Sequence, residues 1–332
     1  MRYLITGHTG FKGSWLSAML KIQGHEVCGV SLSPEKKSLF NEAKISKYIN
    51  REYILDIRNG KELTKAFKEI QPDVLIHLAA QPLVRQSYKD PVGTYETNVI
   101  GTINTLEATK YLESLKASLI ITTDKVYKNI KQSAGYVEND ALGGFDPYSA
   151  SKAAADIATQ SWRSSFGTYP ISIARAGNVI GGGDWSKDRL IPDLVSAIES
   201  RERLIIRNPK SIRPWQHVLD CLNGYLLLVN KQLSDKVQGE WNFGPSESDL
   251  KNVQDVIGKF ANTWGKEINY EEQKSELEED ELLVLNSEKS RTMLNWKDKL
   301  NFDETIKWTV DWYKSINRKS ALIDQIEKYF LL

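Results

Sequence analysis

The sequence predicts an α/β chain: a Rossmann-type doubly wound parallel sheet with a smaller mixed α/β C-terminal lobe. Three observations lead there. Short apolar strands alternate with longer helical segments through the first half. A glycine-rich turn, Gly7-His8-Thr9-Gly10-Phe11-Lys12-Gly13, separates the first strand from the first helix. The stretch DVLIHLAA at 73–80 is apolar without polar alternation, as expected of a parallel strand covered on both faces.

The elements follow in order. Residues 2–6 form a strand that ends at Gly7. Residues 11–23 have helical spacing, with Phe11, Trp15, Leu16, Met19 and Leu20 on one stripe, and Gly24 stops them. Strands are predicted at 26–32 and 52–55, and a helix at 61–71 that Pro72 ends. After the strand at 73–80 come one long helix at 91–114, a strand at 118–123, a helix at 148–166 and a strand at 170–176. Parallel strands joined by helices require right-handed crossovers. The pattern then becomes mixed. Helices are expected at 191–201, 218–232, 253–264 and 303–316, with short strands at 204–207 and 241–243. The acid-rich 271–281 reads as a solvated loop, because it lacks regular ligand spacing for a metal. The expected division is 1–178, with a later contribution from about 213–245, against a second lobe of 179–212 and 246–332. With no repeat or low-complexity linker, the two lobes should pack together.

Composition excludes several functions. Among 332 residues, Lys and Arg number 44 against 43 Asp and Glu, a net charge of +1. That balance gives no bulk field toward nucleic acid and no basic stretch for a membrane surface. Cys28 and Cys221 lack a CxxC partner, so two buried thiols are expected in place of a disulfide or zinc site. No run reaches the ~18 apolar residues of a membrane helix. With a strand beginning at Arg2, no signal peptide is expected, and the expected location is cytoplasmic.

Glycine is needed where a chain turns tightly and where its backbone must approach a pyrophosphate; the following helix start offers unpaired N–H groups. Asp56, followed by Ile57 after the third strand, reads either as an acceptor for an adenine amino group or as a loop cap. An acidic residue usually ends the second strand to hold the ribose 2′-hydroxyl of NAD. Here the region is Val30-Ser31-Leu32-Ser33, so Ser31 or Ser33 would bond the ribose weakly and this strand leaves NAD versus NADP open.

Tyr148 and Lys152 are spaced i, i+4 at a helix start, which places them on one face. Tyrosine, with pKa near ~10, becomes a base only when a nearby cation favours its phenolate; Lys152 and an oxidised nicotinamide are the expected cations. The strand at 118–123 delivers Thr123, Asp124 and Lys125 to its C-terminal edge, where ligands of open α/β sheets bind. Thr123 would bond a substrate hydroxyl, and Asp124 and Lys125 form an acid and base pair. His77, inside an apolar strand, reads as a satisfied core residue, and at His8 the backbone is expected to act.

Taken together, GxxGxxG, HLAA (77–80), N-V-x-G-T (98–102), TTDKVY (122–127) and YxxxK resemble the extended short-chain dehydrogenase/reductase family. Within it the chain resembles the nucleotide-sugar 4,6-dehydratases. GHTGFKGSWL (7–16), AAQPLVRQSY (79–88), ARAGNVIGGGDW (174–185) and RPWQHVLD (213–220) match in order over roughly 2–316. The tail lies beyond, and Ile323, Ile326, Tyr329 and Phe330 suggest a packing helix.

The resemblance implies NAD held by Gly7, Thr9, Gly10, Phe11, Lys12, Gly13, Asp56, Ile57, Leu78, Ala79, Ala80, Asn98, Tyr148 and Lys152. It implies oxidation of a sugar at C4, elimination across C5 and C6, and return of the hydride. Most such enzymes carry Asp-Glu after the strand; Asp124-Lys125 is similar to the branch that acts on CDP-hexoses. There Asp124 is the acid, and Lys125 takes the C5 proton or stabilises the enolate. Arg213 would meet the substrate pyrophosphate, Gln81 and Arg85 the hexose, and Asn178 the turn from cofactor to sugar, while Arg175 ties strands together. Gly181 to Trp185 reads as a loop over substrate or a plain loop. A homodimer through the helices at 91–114 and 148–166 is implied, with no nucleic-acid or membrane partner. Other readings are a different nucleotide-sugar 4,6-dehydratase, an NAD-dependent epimerase, or a non-catalytic dinucleotide sensor. Asp124-Lys125 speaks against the epimerase, and the set Thr123, Tyr148, Lys152 against the sensor.

Overall fold

A computed structural model describes residues 1–132, 134–200, 203–246, 249–273 and 283–332. The first half alternates as its hydrophobic pattern dictates: β1 (Arg2–Thr6), α1 (Phe11–Ile22), β2 (Glu26–Ser31), α2 (Leu39–Glu42), β3 (Arg51–Ile54), α3 (Gly60–Ile70) and β4 (Val74–His77). Then come α4 (Val84–Lys89), α5 (Pro91–Tyr95), α6 (Gly101–Thr109), β5 (Ala117–Ile121), α7 (Pro147–Phe166) and β6 (Ile171–Ala176). The second half holds β7 (Val179–Ile180), α8 (Leu190–Ser200), β8 (Leu204–Ile206), β9 (Ile212–Pro214), β10 (Gln216–His217), α9 (Val218–Asp235) and β11 (Gly239–Phe243). It closes with β12 (Leu250–Asn252), α10 (Val253–Trp264), β13 (Tyr270–Glu272), α11 (Glu288–Leu294), α12 (Phe302–Lys314) and α13 (Arg318–Leu331).

Seven strands form one sheet in the order β11-β6-β5-β4-β1-β2-β3. All its pairings are parallel. The order reverses between β1 and its neighbours β2 and β4, the switch point at which α/β sheets open a crevice. β4, β5 and β6 are buried along their whole length. On β1, Tyr3 and Ile5 join the larger core while Leu4 joins a second core on the other face. That is the period-two alternation of a strand covered on both sides. β11 joins the far edge beside β6 after the chain has left the sheet through β7 to β10.

Smaller two-stranded pairings, β7 with β10, β8 with β13 and β9 with β12, lie outside this sheet. Leu194, Phe260 and Trp312, from elements beyond the sheet, share one hydrophobic cluster with Ile5 and Trp15, so these elements pack directly against it. On α13, Leu322, Ile326 and Tyr329 are buried, and Ile323 and Phe330 pack partly buried beside them.

Two sequence expectations change. The stretch 91–114 is not one regular helix: α5 runs into a π-turn at Glu96–Ile100, and α6 then ends at Thr109. Asn98 lies inside the widened turn, and its side-chain amide bonds to Gln81 and Ser151. π-turns often mark functional positions. Of the acid-rich 271–281, residues 271–272 belong to β13 and not to a loop, and 274–281 lie outside the described residues. Cys28 and Cys221 are buried free thiols. Among the described residues no helix is long and apolar enough to cross a membrane, and no cluster of ligating side chains could hold a metal.

Candidate active site

At the C-terminal ends of the strands lies a cleft of about 1670 Å³, walled by both lobes. It exceeds the ~300–1,000 Å³ of a pocket for one small ligand.

At one end the glycine loop packs on itself. Gly7 has φ +78°, and a methyl group there would sit 2.7 Å from the Ala79 nitrogen. A methyl on Gly13 would sit 2.2 Å from the Gly7 carbonyl oxygen. Gly10, the N-cap of α1, has only that oxygen near its open side, at 3.3 Å. No side chain caps α1, and its first turn holds no acidic residue. Exposed backbone donors, a positive helix end and room for close approach are the chemistry a dinucleotide pyrophosphate requires, so the residues fit that group.

The surrounding side chains are more committed than the motif suggests. Thr9 Oγ1 lies 2.7 Å from Ser31 Oγ and donates to the Leu32 carbonyl, tying the loop to the end of β2. His8 Nε2 meets Glu52 Oε1 on β3 at 2.6 Å, and its ring fills the space above Gly29, where a methyl would be 2.4 Å away. The expectation that only the His8 backbone acts is therefore corrected: its side chain anchors the loop across two strands. Burial pushes its pKa down against the pull of Glu52. Asp56 caps its turn by accepting from Arg58 N and pairs with that guanidinium at 2.7 Å, which holds its pKa low. It still lines the cleft with Ile57, Leu78, Ala79 and Ala80. Asn98 does not line it. Its Oδ1 accepts from Gln81 N, and its Nδ2 donates to the Gln81 carbonyl and to Ser151 Oγ, so it props the loop after β4 from behind. The Gln81 amide is likewise spent on Leu83 and Thr94, although the residue faces the cleft.

In the middle, Asp146 caps α7 through Ser149, and Pro147 occupies its first turn. This fixes Tyr148 and Lys152 one helical turn apart on the wall. The end of β5 runs into a short 3₁₀ turn, Asp124–Val126, capped by Thr123. Thr123 Oγ1 donates to Asp124 Oδ1 at 2.8 Å and also bonds the Tyr148 phenol. Asp124 is buried against Gly177, where a methyl would lie 2.1 Å from its carboxylate. Lys125 lines the cleft beside it.

Burial pushes the Tyr148 phenol up to about 12; the Thr123 bond and the Arg189 charge oppose this, while Asp124 and Asp146 add to it. Lys152 is held by the backbone of β5. Its ammonium is turned to the Ile121 carbonyl at 2.7 Å, and burial followed by the Lys12 charge pushes its pKa down to about 8. Lys12 itself donates to the Tyr225 hydroxyl at 3.2 Å.

The far end is charged. Arg85 on α4 reaches Asp188 at 3.4 Å, and Arg207 reaches the same carboxylate at 3.2 Å. Arg189 pairs with buried Asp184 at 3.0 Å. Burial, then Asp188, pushes Asp193 up to about 6. Arg213 on β9 lines this end, and its Nη1 donates to the Ile212 carbonyl at 3.1 Å. Asn178 stands at φ +37°, and its Nδ2 is buried without a hydrogen-bond partner among the described residues. The loop 181–185 is a packed wall: Trp15 Nε1 donates to the Gly182 carbonyl, and the Tyr313 hydroxyl to that of Asp184. A methyl on Gly182 would strike the Trp312 ring at 2.0 Å, so this glycine answers to close packing. His77 is the satisfied core residue expected, between Thr6 and Thr102 hydroxyls at 2.6 and 3.0 Å.

Comparisons with known proteins place this geometry. The sequence profile of the GDP-mannose 4,6 dehydratase family matches residues 4–309. The chain is 41% identical to a CDP-glucose 4,6-dehydratase of Salmonella typhimurium, covering 95% of this chain and 90% of that one. The chain belongs to this dehydratase family, within the extended short-chain dehydrogenases/reductases. A probable dTDP-glucose 4,6-dehydratase of Sinorhizobium fredii is 29% identical over 94% of this chain and 93% of its own. Among solved structures, a dTDP-glucose 4,6-dehydratase from Bacillus anthracis in complex with NAD superposes with TM-score 0.81 at 25% identity, covering 97% and 99% of the two chains. A Thermus thermophilus UDP-glucose 4-epimerase complex, at 24% identity and TM-score 0.83 over 95% and 100%, shares the fold.

Several cleft residues of this dehydratase-family chain were not anticipated: Asp188, Arg189, Asp193 and Arg207. One signal was available. Arg189 and Asp193 flank Leu190-Ile191-Pro192, and a charge set into the apolar run of α8 must be paired or face a cavity.

Proposed function

We propose that this protein is an NAD-dependent nucleotide-sugar 4,6-dehydratase that converts CDP-glucose to CDP-4-keto-6-deoxyglucose and water. The observation that carries the reading is the buried turn holding Thr123, Asp124 and Lys125 beside Tyr148, in a chain 41% identical to a CDP-glucose 4,6-dehydratase. The glycine loop of Gly7, Gly10 and Gly13 would hold NAD⁺, which would supply a hydride acceptor for C4 of the hexose and a hydride donor for C6, so the reaction would be redox-neutral.

The chain's own groups move the protons. Tyr148 takes the 4-hydroxyl proton as the C4 ketone forms. Burial pushes its phenol up to about 12, which leaves little phenolate in the protein alone, and a positive nicotinamide ring beside it would bring that value down. The ketone acidifies C5. Lys125 takes the C5 proton, and Asp124 protonates the departing 6-hydroxyl, so that C5–C6 becomes a double bond and water leaves. Lys125 then returns its proton to C5 as C6 is reduced. Tyr148 ends with one proton more and Asp124 with one fewer. The Thr123 hydroxyl, bonded to both, is the short path that restores them. Lys152 and Lys12, with Gly7, Thr9, Gly10, Phe11, Gly13, Asp56, Ile57, Leu78, Ala79 and Ala80, line the part of the cleft that would hold the cofactor. Arg213 meets the substrate pyrophosphate, Arg85 the hexose, and the unpartnered Asn178 amide the sugar side.

Exposed Val92, Tyr95, Ile100, Ile157 and Phe166, on the segment 91–100 and on α7, support a homodimer through these helices. The sheet with β11 serves the cofactor and the second lobe the sugar. Buried free cysteines suit a cytoplasmic location.

The test is incubation with CDP-glucose in parallel with dTDP-glucose, UDP-glucose and GDP-mannose. A 4-keto-6-deoxy product from CDP-glucose, without net reduction of NAD⁺, is expected. Preference for another nucleotide would overturn the assignment of cytosine. No product from any of them would overturn the activity.

A further inference from the structure

We infer that the buried pair Arg175–Asp156 is a clamp that sets the turn bearing Asp124 and Lys125 against the helix bearing Tyr148 and Lys152. Arg175 and Asp156 are then positioning residues for the elimination step. The inference rests on the reaction proposed above for its kinetic consequence, but its structural part stands independently of it.

Asp156 lies on α7, one turn beyond Lys152 and two beyond Tyr148. Arg175 lies on β6, and its side chain and that of Asp156 are 1% and 0% exposed. Arg175 Nε and Nη2 donate to the two Asp156 oxygens at 2.9 and 2.8 Å, the bidentate geometry that fixes direction as well as distance. The pair then grips the catalytic segment at both ends. Before the turn, Thr122 Oγ1 donates to Asp156 Oδ2 at 3.1 Å. After it, Arg175 Nη1 donates to the Tyr127 hydroxyl at 2.9 Å, and also to the Glu138 carbonyl at 2.8 Å. The Tyr127 hydroxyl continues to Asn242 on β11 at 2.7 Å, and Gln160 donates to Asp156 Oδ1 at 2.8 Å. Between the two gripped residues are Thr123, Asp124, Lys125 and Val126. Two residues past Arg175 on the same chain, Gly177 makes room for the Asp124 carboxylate.

A buried ion pair is a poor way to gain stability, since desolvation offsets its attraction. A fully satisfied one is a good way to fix a single arrangement of the elements that share it. The elements sharing this one are those that must bring a base for C4 and an acid–base pair for C5 and C6 to one hexose. Misplacement of about 1 Å can cost about a hundredfold in rate.

The experiment cuts each grip without stranding a buried charge: Thr122→Val and Tyr127→Phe, singly and together. Hydrogen exchange in the intact protein is expected to rise about tenfold at amides 124–126 in the double variant, with α7 within about twofold of wild type. With CDP-glucose, kcat should fall about tenfold at unchanged KM, and reduced nicotinamide should accumulate in the steady state, because C4 oxidation outruns elimination. Loss of folded protein alone would lower the rate without that accumulation. Unchanged exchange at 124–126 and unchanged kcat in the double variant would overturn the clamp. Altered exchange in a protein whose wild type is inert toward every sugar nucleotide would uphold the clamp and overturn the reaction.

Discussion

At the glycine-loop end of the cleft the wall is mostly backbone. Gly7, Gly10 and Gly13 stand where added methyl groups would meet main-chain atoms at 2.7, 3.3 and 2.2 Å. At the sugar end the wall is side-chain charge: Arg85 and Arg207 share Asp188, Arg189 holds Asp184, and Asp193 sits beside them. The first end is already shaped for its ligand, because backbone donors need no partner exchange to receive a pyrophosphate. At the second, the cations are neutralised by carboxylates of the same wall. A diphosphate or hexose engaging Arg85, Arg189 or Arg207 would have to take it from its present partner. If the glycine end holds the cofactor and the charged end the sugar, the contrast would be one of rigid recognition of the common ligand against exchangeable recognition of the particular one.

The largest effect should come where both ends meet. Tyr148→Phe removes the group proposed to take the C4 proton and should lower turnover of CDP-glucose by ~10²–10⁴. Binding of both ligands should stay near wild type, since neither end of the cleft is altered. A rate within tenfold of wild type would take Tyr148 out of the mechanism.

The backbone end is broken next. Gly13→Ala drives a methyl to 2.2 Å from the Gly7 carbonyl. Overpacking of this kind costs ~1–3 kcal/mol, which should weaken NAD⁺ binding about ten- to a hundredfold in a fluorescence titration. The sugar end offers the matching cut. Arg213→Ala removes a cation from a wall that keeps Arg85, Arg189 and Arg207. It should raise KM for CDP-glucose about tenfold with kcat nearly unchanged, the mark of lost uniform binding. If Gly13→Ala acts on KM for the sugar, or Arg213→Ala on NAD⁺ affinity, the two ends are not separate.

The same contrast explains what could be read from sequence. The glycine loop, the apolar strands and the Tyr148/Lys152 spacing are local: each follows from residues near in the chain, and the structure places them as expected. Partnerships across the chain are not local. Nothing near Thr9 announces that its hydroxyl is committed to Ser31, or near Asn98 that its amide supports Gln81. Lys152 shows the limit most sharply. Its position on α7 was legible, but its hydrogen bond to Ile121, and the Arg189 charge that also bears on Tyr148, required the fold. The far wall was least legible, because Asp188 pairs with Arg85 on α4 and with Arg207 just past β8, both distant in the chain.

The two ends should also pull on stability with opposite pH dependence. Lys152 is lowered from 10.5 to about 8 in the folded protein. Below pH 8 both states carry its charge and the full burial penalty applies. Between about 8 and 10.5 the unfolded chain holds more protons, so stability rises with pH. Asp193 is raised from 3.8 to about 6. Between those values the folded protein holds more protons, so stability falls as pH rises, and above 6 its penalty is complete. At neutral pH both penalties are present together. Lys152→Met should therefore add up to ~2–3 kcal/mol in urea unfolding at pH 7, and little near pH 10.5. Asp193→Asn should add less, ~1 kcal/mol at pH 7, because solvent screens this partly exposed carboxylate. Its advantage should vanish at pH 4, where the wild-type carboxyl is already protonated in the fold. A gain that persists at pH 4 would mean that Asp193 is destabilising by its shape or hydrogen bonding, and the sugar end would then owe its strain to packing and not to charge.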